Sequence, residues 1–180
     1  PVSDVGSDTV TAAGTGRTSV LYIGTNAWVS QKNAANERMR KDGGAVTFSG
    51  GANYGALGHD PTNSYLLVND STTTIRRYSG ISGTTITFVD TITLDTAVDN
   101  TGFCYDNTNS RYICVDRANS LIRRFSSTGV TVDTTTYTTQ VNADALRGIV
   151  IIDSRVYIVV CFAGMNGNSS TPYLSIMNCT

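Results

Sequence analysis

The nineteen residues from Asp60, DPTNSYLLVNDSTTTIRRY, return from Asp106 as DNTNSRYICVDRANSLIRRF, and this internal repeat constrains the fold more than any other feature of the chain. Asp60, Asn63 and Ser64 recur 46 residues later as Asp106, Asn109 and Ser110. The block Ile75-Arg76-Arg77-Tyr78 recurs 47 residues later as Ile122-Arg123-Arg124-Phe125, a one-residue difference that fits an insertion at Arg111. Self-similarity at roughly 40 to 50 residues is the mark of units that stack side by side because none can bury its apolar faces alone.

Two weaker copies flank the pair. Thr25-Asn26-Ala27-Trp28-Val29 aligns 37 residues ahead of Thr62-Asn63-Ser64-Tyr65-Leu66, which sets Arg40 opposite Arg77. Downstream, Gly148 to Tyr157 matches the stretch that begins at Gly102, with Tyr157 lying 45 residues after Tyr112. The copies are 18–52, 53–98, 99–144 and 145–180, and residues 1–17 form an arm or closing strand.

Each copy reads as successive hairpins. In the second copy the predicted strands are Ala56–His59, Tyr65–Asn69, Ile75–Ser79 and Ile86–Leu94, separated by DPTNS, DSTT and SGISGT. Asp and Asn cap their own backbone in such turns, and Gly tolerates positive φ. Tyr65–Val68 and Val156–Val160 are continuously apolar instead of alternating, which implies burial on both faces. Thr, Val, Ile and Tyr dominate, whereas Glu37 is the only Glu and Lys32 and Lys41 are the only lysines, so helix-favouring charges are nearly absent. The predicted fold is all-β: about four antiparallel, four-stranded units.

This grammar, a short strand ending in an Asp-containing turn and a second strand with an aromatic start and a closing Asp, resembles NHL-type or YVTN-type β-propeller repeats over residues 18 to 180. The resemblance implies a propeller-like array. The last copy stops after Tyr173–Asn178, before a fourth strand, and Asp8–Ala12 is placed to supply that strand and close the ring. A truncated larger propeller, or an open array completed by another subunit, is equally compatible with four units.

At 180 residues the chain suits one domain, able to bury roughly 70% of its unfolded surface. The balance of 13 basic against 14 acidic residues argues against a nucleic-acid partner. The most apolar stretch, Ile149 to Ala163, is interrupted by Asp153 and Arg155 and is too short for a membrane span. Beginning at Pro1, the chain fits either a processed, exported protein or a fragment.

Few residues offer catalytic chemistry. His59 is the only histidine, and Tyr105 replaces it in the next copy. Asp60, Asp106 and Asp153 recur in the manner of turn caps, without the bidentate Glu of a calcium loop. Propeller lactonases hold calcium with a Glu, Asn and Asp set, which is not visible here. One Arg of each pair, Arg76-Arg77 and Arg123-Arg124, is expected to meet Asp70 or Asp116, and the other to be solvated. Cys104 with Cys114, and Cys161 with Cys179, flank turns and so allow two disulfides, although Cys104 and Cys114 equally suit small buried hydrophobes. Their spacing does not suit zinc. Asn69, Asn168 and Asn178 open Asn-X-Ser/Thr sequences that matter only if the chain meets a glycosylating pathway.

The expected function is a non-enzymatic structural or binding module without cofactor or metal: a subunit of an extracellular filament, surface layer or virus particle. Its expected partners are proteins, itself included, with contacts sought at Tyr54 and Tyr173. A carbohydrate-binding propeller is the alternative, with Tyr65, Tyr112 and Tyr157 as its repeated aromatics, and a metal-dependent propeller hydrolase ranks third.

Overall fold

The computed structural model describes residues 18–31, 38–42, 44–48, 55–98, 102–136, 146–152, 155–162 and 173–178, with backbone alone for the last two ranges and most of 146–152. Within them every regular element is a strand except for one 3-10 turn, Arg117–Asn119.

The strands form four sheets. The first contains β1 (Thr18–Ile23), β2 (Asn26–Gln31), β3 (Arg38–Lys41) and β4 (Gly44–Ala45) in that order. The second contains β6 (Leu57–Asp60), β7 (Tyr65–Asn69), β8 (Thr74–Ser79) and β9 (Thr85–Thr93), with β5 (Thr47–Phe48) added in parallel to β9. The third is the antiparallel meander β10 (Phe103–Asp106), β11 (Arg111–Asp116), β12 (Leu121–Phe125) and β13 (Thr131–Thr136). The fourth has three strands, β14 (Leu146–Ile152), β15 (Arg155–Phe162) and β16 (Tyr173–Asn178). The four strands expected of the second copy thus lie within a residue or so of the observed ones. The expected strand Asp8–Ala12 lies outside the described residues.

The first strands carry the stacking: β1 lies against β6, β6 against β10, and β10 against β14. Pleating explains the unbroken apolar runs Tyr65–Val68 of β7 and Tyr112–Val115 of β11. In β7, Leu66 and Val68 point back to join Trp28, Met39, Leu57, Tyr78 and Ile86, while Leu67 points forward to join Ala56, Ile75, Phe103, Tyr112, Cys114 and Phe125. Leu66, Leu67, Val68, Ile113 and Cys114 have no exposed surface. Each such aliphatic side chain contributes about 1.5–3 kcal/mol of transfer free energy. A Cβ added to Gly58 would sit 2.4 Å from Cε1 of Phe103, so Gly58 is the flat spot on which the next sheet's aromatic rests.

Polar staples cross the same junctions. The Ser19 hydroxyl oxygen accepts the Leu57 N–H at 3.1 Å, and Ser30 donates to the Gly55 carbonyl at 2.8 Å. Lys41 Nζ, 5.5 Å above the Trp28 ring, donates to the Ile81 and Ser82 carbonyls at 2.9 and 2.8 Å. Thr62 Oγ1 donates to Asn107 Oδ1 at 2.9 Å between the second and third sheets. At that junction's outer side the Asp95 carboxylate receives the Thr131 N–H at 2.8 Å and its hydroxyl at 2.6 Å.

Two expectations need correction. Arg40, aligned by sequence with Arg77, pairs across the strands with Val29, whereas Arg77 pairs with Leu67. The hairpin between β7 and β8 is one residue longer than its counterpart in the first sheet, so Arg40 takes the register of Tyr78, which faces Leu66, and points to the other side. The Cys104–Cys114 disulfide is not formed. Both thiols are free because Cys104 pairs with Ile113 and Cys114 with Phe103, which turns them to opposite faces of the sheet. Cys161 lies on β15, its side chain outside the described set, and Cys179 lies beyond the described residues.

Candidate functional site

The recurrent aspartates are turn caps. Asp60 Oδ1 accepts the N–H groups of Thr62 and Asn63 at 3.1 and 3.2 Å, and its Oδ2 receives the Asn63 amide at 2.8 Å. Asp106 repeats this with Thr108 and Asn109 at 3.0, 3.2 and 2.7 Å. Ser64 and Ser110 close the turns at φ 55° and 53°, in the left-handed region. Asp153 lies outside the described residues.

A third copy of the device escaped the period-based reading. Asp116-Arg-Ala-Asn119-Ser120 joins β11 to β12, with the Asn119 amide on both Asp116 oxygens at 3.0 and 2.9 Å and Ser120 at φ 55°. Its signal was the bare pentapeptide Asp-X-X-Asn-Ser, which a search tied to the blade period passes over because it sits ten residues after its twin.

The four arginines of the two repeated pairs are spent on the fold. Arg76 Nε meets Asp70 at 2.9 Å and Arg123 Nε meets Asp116 at 2.6 Å, as expected. Their neighbours are not solvated. Arg77 makes a two-point pair with Asp90, and Arg124 meets Asp133 at 2.9 Å and donates to Thr135 at 2.7 Å. Both acids come from fourth strands, in the matching segments Val89-Asp90-Thr91 and Val132-Asp133-Thr134. In each case the register slips by one beside the acid, leaving Val89 and Val132 as the extra residue of a β-bulge. The hydrogen bonds from Arg77 hold the Asp90 carboxyl below its usual range.

Reactive groups are quenched. Burial pushes the Cys104 thiol up to about 12 and the Cys114 thiol higher still, so neither offers a thiolate near neutrality. Burial lowers the His59 imidazole below its ordinary value, against a smaller opposing pull from Asp60. Tyr112, 2% exposed, is raised to about 12 by burial and belongs to the core. Among the described residues no three His, Cys, Asp or Glu side chains gather as a metal site, and no helix is long and apolar enough to cross a membrane. Asn69 has no exposed surface, which removes it as a glycan acceptor. Asn178 ends β16, and Asn168 lies outside the described residues.

Five large hydrophobic side chains are exposed among the described residues. Tyr22 on β1 is 58% exposed, and the outer strands present Phe88 and Val89 on β9 and Val130 and Val132 at β13. Of the two expected contact residues, Tyr173 opens β16 opposite Phe162, and Tyr54 lies outside the described residues. Tyr22 carries no such signal, because its neighbourhood in the sequence reads as ordinary strand.

No family model matches the chain, and no curated protein matches it in sequence. Solved structures do. A protein of unknown function from Bacteroides caccae superposes with a TM-score of 0.51 and 13% identity over 90% of this chain and 63% of its own. Another, from Bacteroides thetaiotaomicron, gives 0.51 and 15% over 85% of this chain and 55% of its own. Apo AztD from Citrobacter koseri gives 0.45 and 13% over 91% and 47%. The four sheets fit a propeller-type fold, and the chain spans less than two thirds of the structures it resembles.

Proposed function

We propose that this chain is a non-enzymatic structural and binding module, a subunit of a larger extracellular assembly such as a filament, a surface layer or a virus particle. The observation that carries this reading is the division of labour among side chains. The recurrent Asp, Asn and Arg residues hold turns and sheets, whereas the exposed large hydrophobic side chains among the described residues are Tyr22, Phe88, Val89, Val130 and Val132. Such a surface suits contact with protein, not bond chemistry. The carbohydrate reading loses support because Tyr112 is buried and Tyr65 lies under Arg77, 5.6 Å from its ring, as parts of a sheet junction.

Light scattering and electron microscopy of the folded chain, run beside a glycan array, test the proposal. It expects species heavier than the 19.1 kDa chain and no glycan signal. Saturable glycan binding by a monomer would replace it with the lectin reading, and hydrolysis dependent on a bound divalent metal would replace it with the enzymatic one.

A further inference from the structure

Lys41 is one of two lysines in the chain, and it stands at the junction of the first and second sheets. It pairs across β2 and β3 with Trp28, which sets both side chains on the face turned toward the second sheet. Trp28 is 1% exposed, and Lys41 Nζ lies 5.5 Å from its ring centroid, within the range in which an ammonium is drawn to an aromatic face. The adjacent acid is committed elsewhere: the Asp42 carboxylate receives the Asn26 amide at 2.6 Å and the Ala27 N–H at 2.8 Å.

The turn that receives this ammonium joins β8 to β9. Ile81, Ser82 and Gly83 present three consecutive carbonyl oxygens to Nζ, at 2.9, 2.8 and 3.4 Å. A primary ammonium carries three N–H donors and no acceptor, so the oxygens match it in number and kind. Successive carbonyls along a strand point to alternate sides. Here they converge because the backbone leaves the extended region, with Gly80 at φ 83° and the Gly83 N–H donating to the Gly80 carbonyl at 3.1 Å. Ile81 holds the turn in place by packing on the same cluster as Trp28. The next junction reverses the chemistry: beside the turn Ser126–Gly129 it is a carboxylate, Asp95, that receives the N–H and hydroxyl of Thr131. The convergent carbonyls therefore belong to this turn and are not dictated by the repeat.

We infer that the Ile81–Gly83 turn and the face of Trp28 form a primary-ammonium site, with Lys41 as its tethered ligand and a free alkylammonium ion as the ligand it takes when Lys41 is withdrawn. Among the described residues the ammonium meets neutral oxygens only, so the site selects for N–H donors and not for charge alone. Ser82 and Gly83 are exposed, which opens the rim to a solute. The site is separate from the exposed hydrophobic side chains behind the assembly reading and does not depend on it.

The test removes the tether and supplies the ligand. Lys41→Ala deletes three methylenes and the ammonium, which is the outline of propylammonium. Thermal melts of the full chain, wild type and variant, are run in the chlorides of propylammonium, tetramethylammonium and potassium at one ionic strength. The variant is expected to melt about 5–10 °C below the wild type, the scale of losing hydrogen bonds to a charged group in a chain of this length. Propylammonium is expected to restore half or more of that shift, saturably, and to leave the wild type, whose site is filled, where it was. Tetramethylammonium, which has no N–H, and potassium are expected to restore none. A variant as stable as the wild type, or one that propylammonium helps no more than the other salts do, overturns the site. Lys41→Met, which keeps a stem beside Trp28 and loses the donors, carries the test where the alanine variant does not fold. It is expected to melt below the wild type without recovery in propylammonium, since its own stem fills the place, and a melting temperature equal to the wild type overturns the site.

Discussion

His59 shows how one residue's surroundings set its role. It sits half-buried on β6, and burial disfavours its charged form more strongly than Asp60 favours it. Its folded-state pKa is therefore depressed, and the sign follows: stability is intact above the ordinary value of 6.5 and falls as pH drops, because the unfolded chain takes up the proton first. Since the chain has no other histidine, His59→Gln is expected to flatten the pH dependence of the melting temperature between neutrality and the carboxylate range. A slope unchanged in the variant would assign the effect elsewhere. Below that range the hydrogen-bonded Asp90 and Asp95, both held below their usual values, take over as the acid-sensitive groups in wild type and variant alike.

At the scale of the element, the Asp-X-X-Asn-Ser turn is a portable hairpin device, used between β6 and β7, β10 and β11, and β11 and β12. Removing its asparagine deletes an amide that spans to a carboxylate, a loss of about 1–2 kcal/mol for each of Asn63→Ala, Asn109→Ala and Asn119→Ala. Asn119→Ala is expected to be the costliest, because Asp116 is 2% exposed and also anchors Arg123. Ser120→Gly should be neutral or slightly stabilising, since glycine meets no penalty at positive φ. Urea denaturation of the four variants measures the order, and a Ser120→Gly variant weaker than Asn119→Ala would contradict this account of the turn. These strands and turns were legible in the sequence because each is local: alternation, apolar runs and Asp/Asn turns decide them within a few residues. The pairing of Arg77 with Asp90 was not, since the acid lies 13 residues downstream and the bulge beside it sets which acid faces which arginine. The cysteine register was hidden because it turns on the exact pairing across the turn after Asp106, where a slip of one residue would set Cys104 opposite Cys114.

Among the described residues the whole molecule is a sequence of junctions between consecutive sheets, and the first two are each made from an apolar cluster and a few staples. The second and third sheets hold two junctions each, and their middle strands β7 and β11 are buried on both sides. Hydrogen exchange of the folded chain should therefore be slowest for the amides of β7 and β11 and faster for β2, with protection spread evenly over the strands counting against a junction-by-junction molecule.

The flat spot at Gly58 carries this further. Because Phe103 rests directly on that backbone, the second and third sheets are fitted closely to each other, and among the described residues each apolar cluster joins one sheet only to the next. A lineage of such chains is free to lengthen or shorten by whole units at its margins while every surviving contact stays as it was.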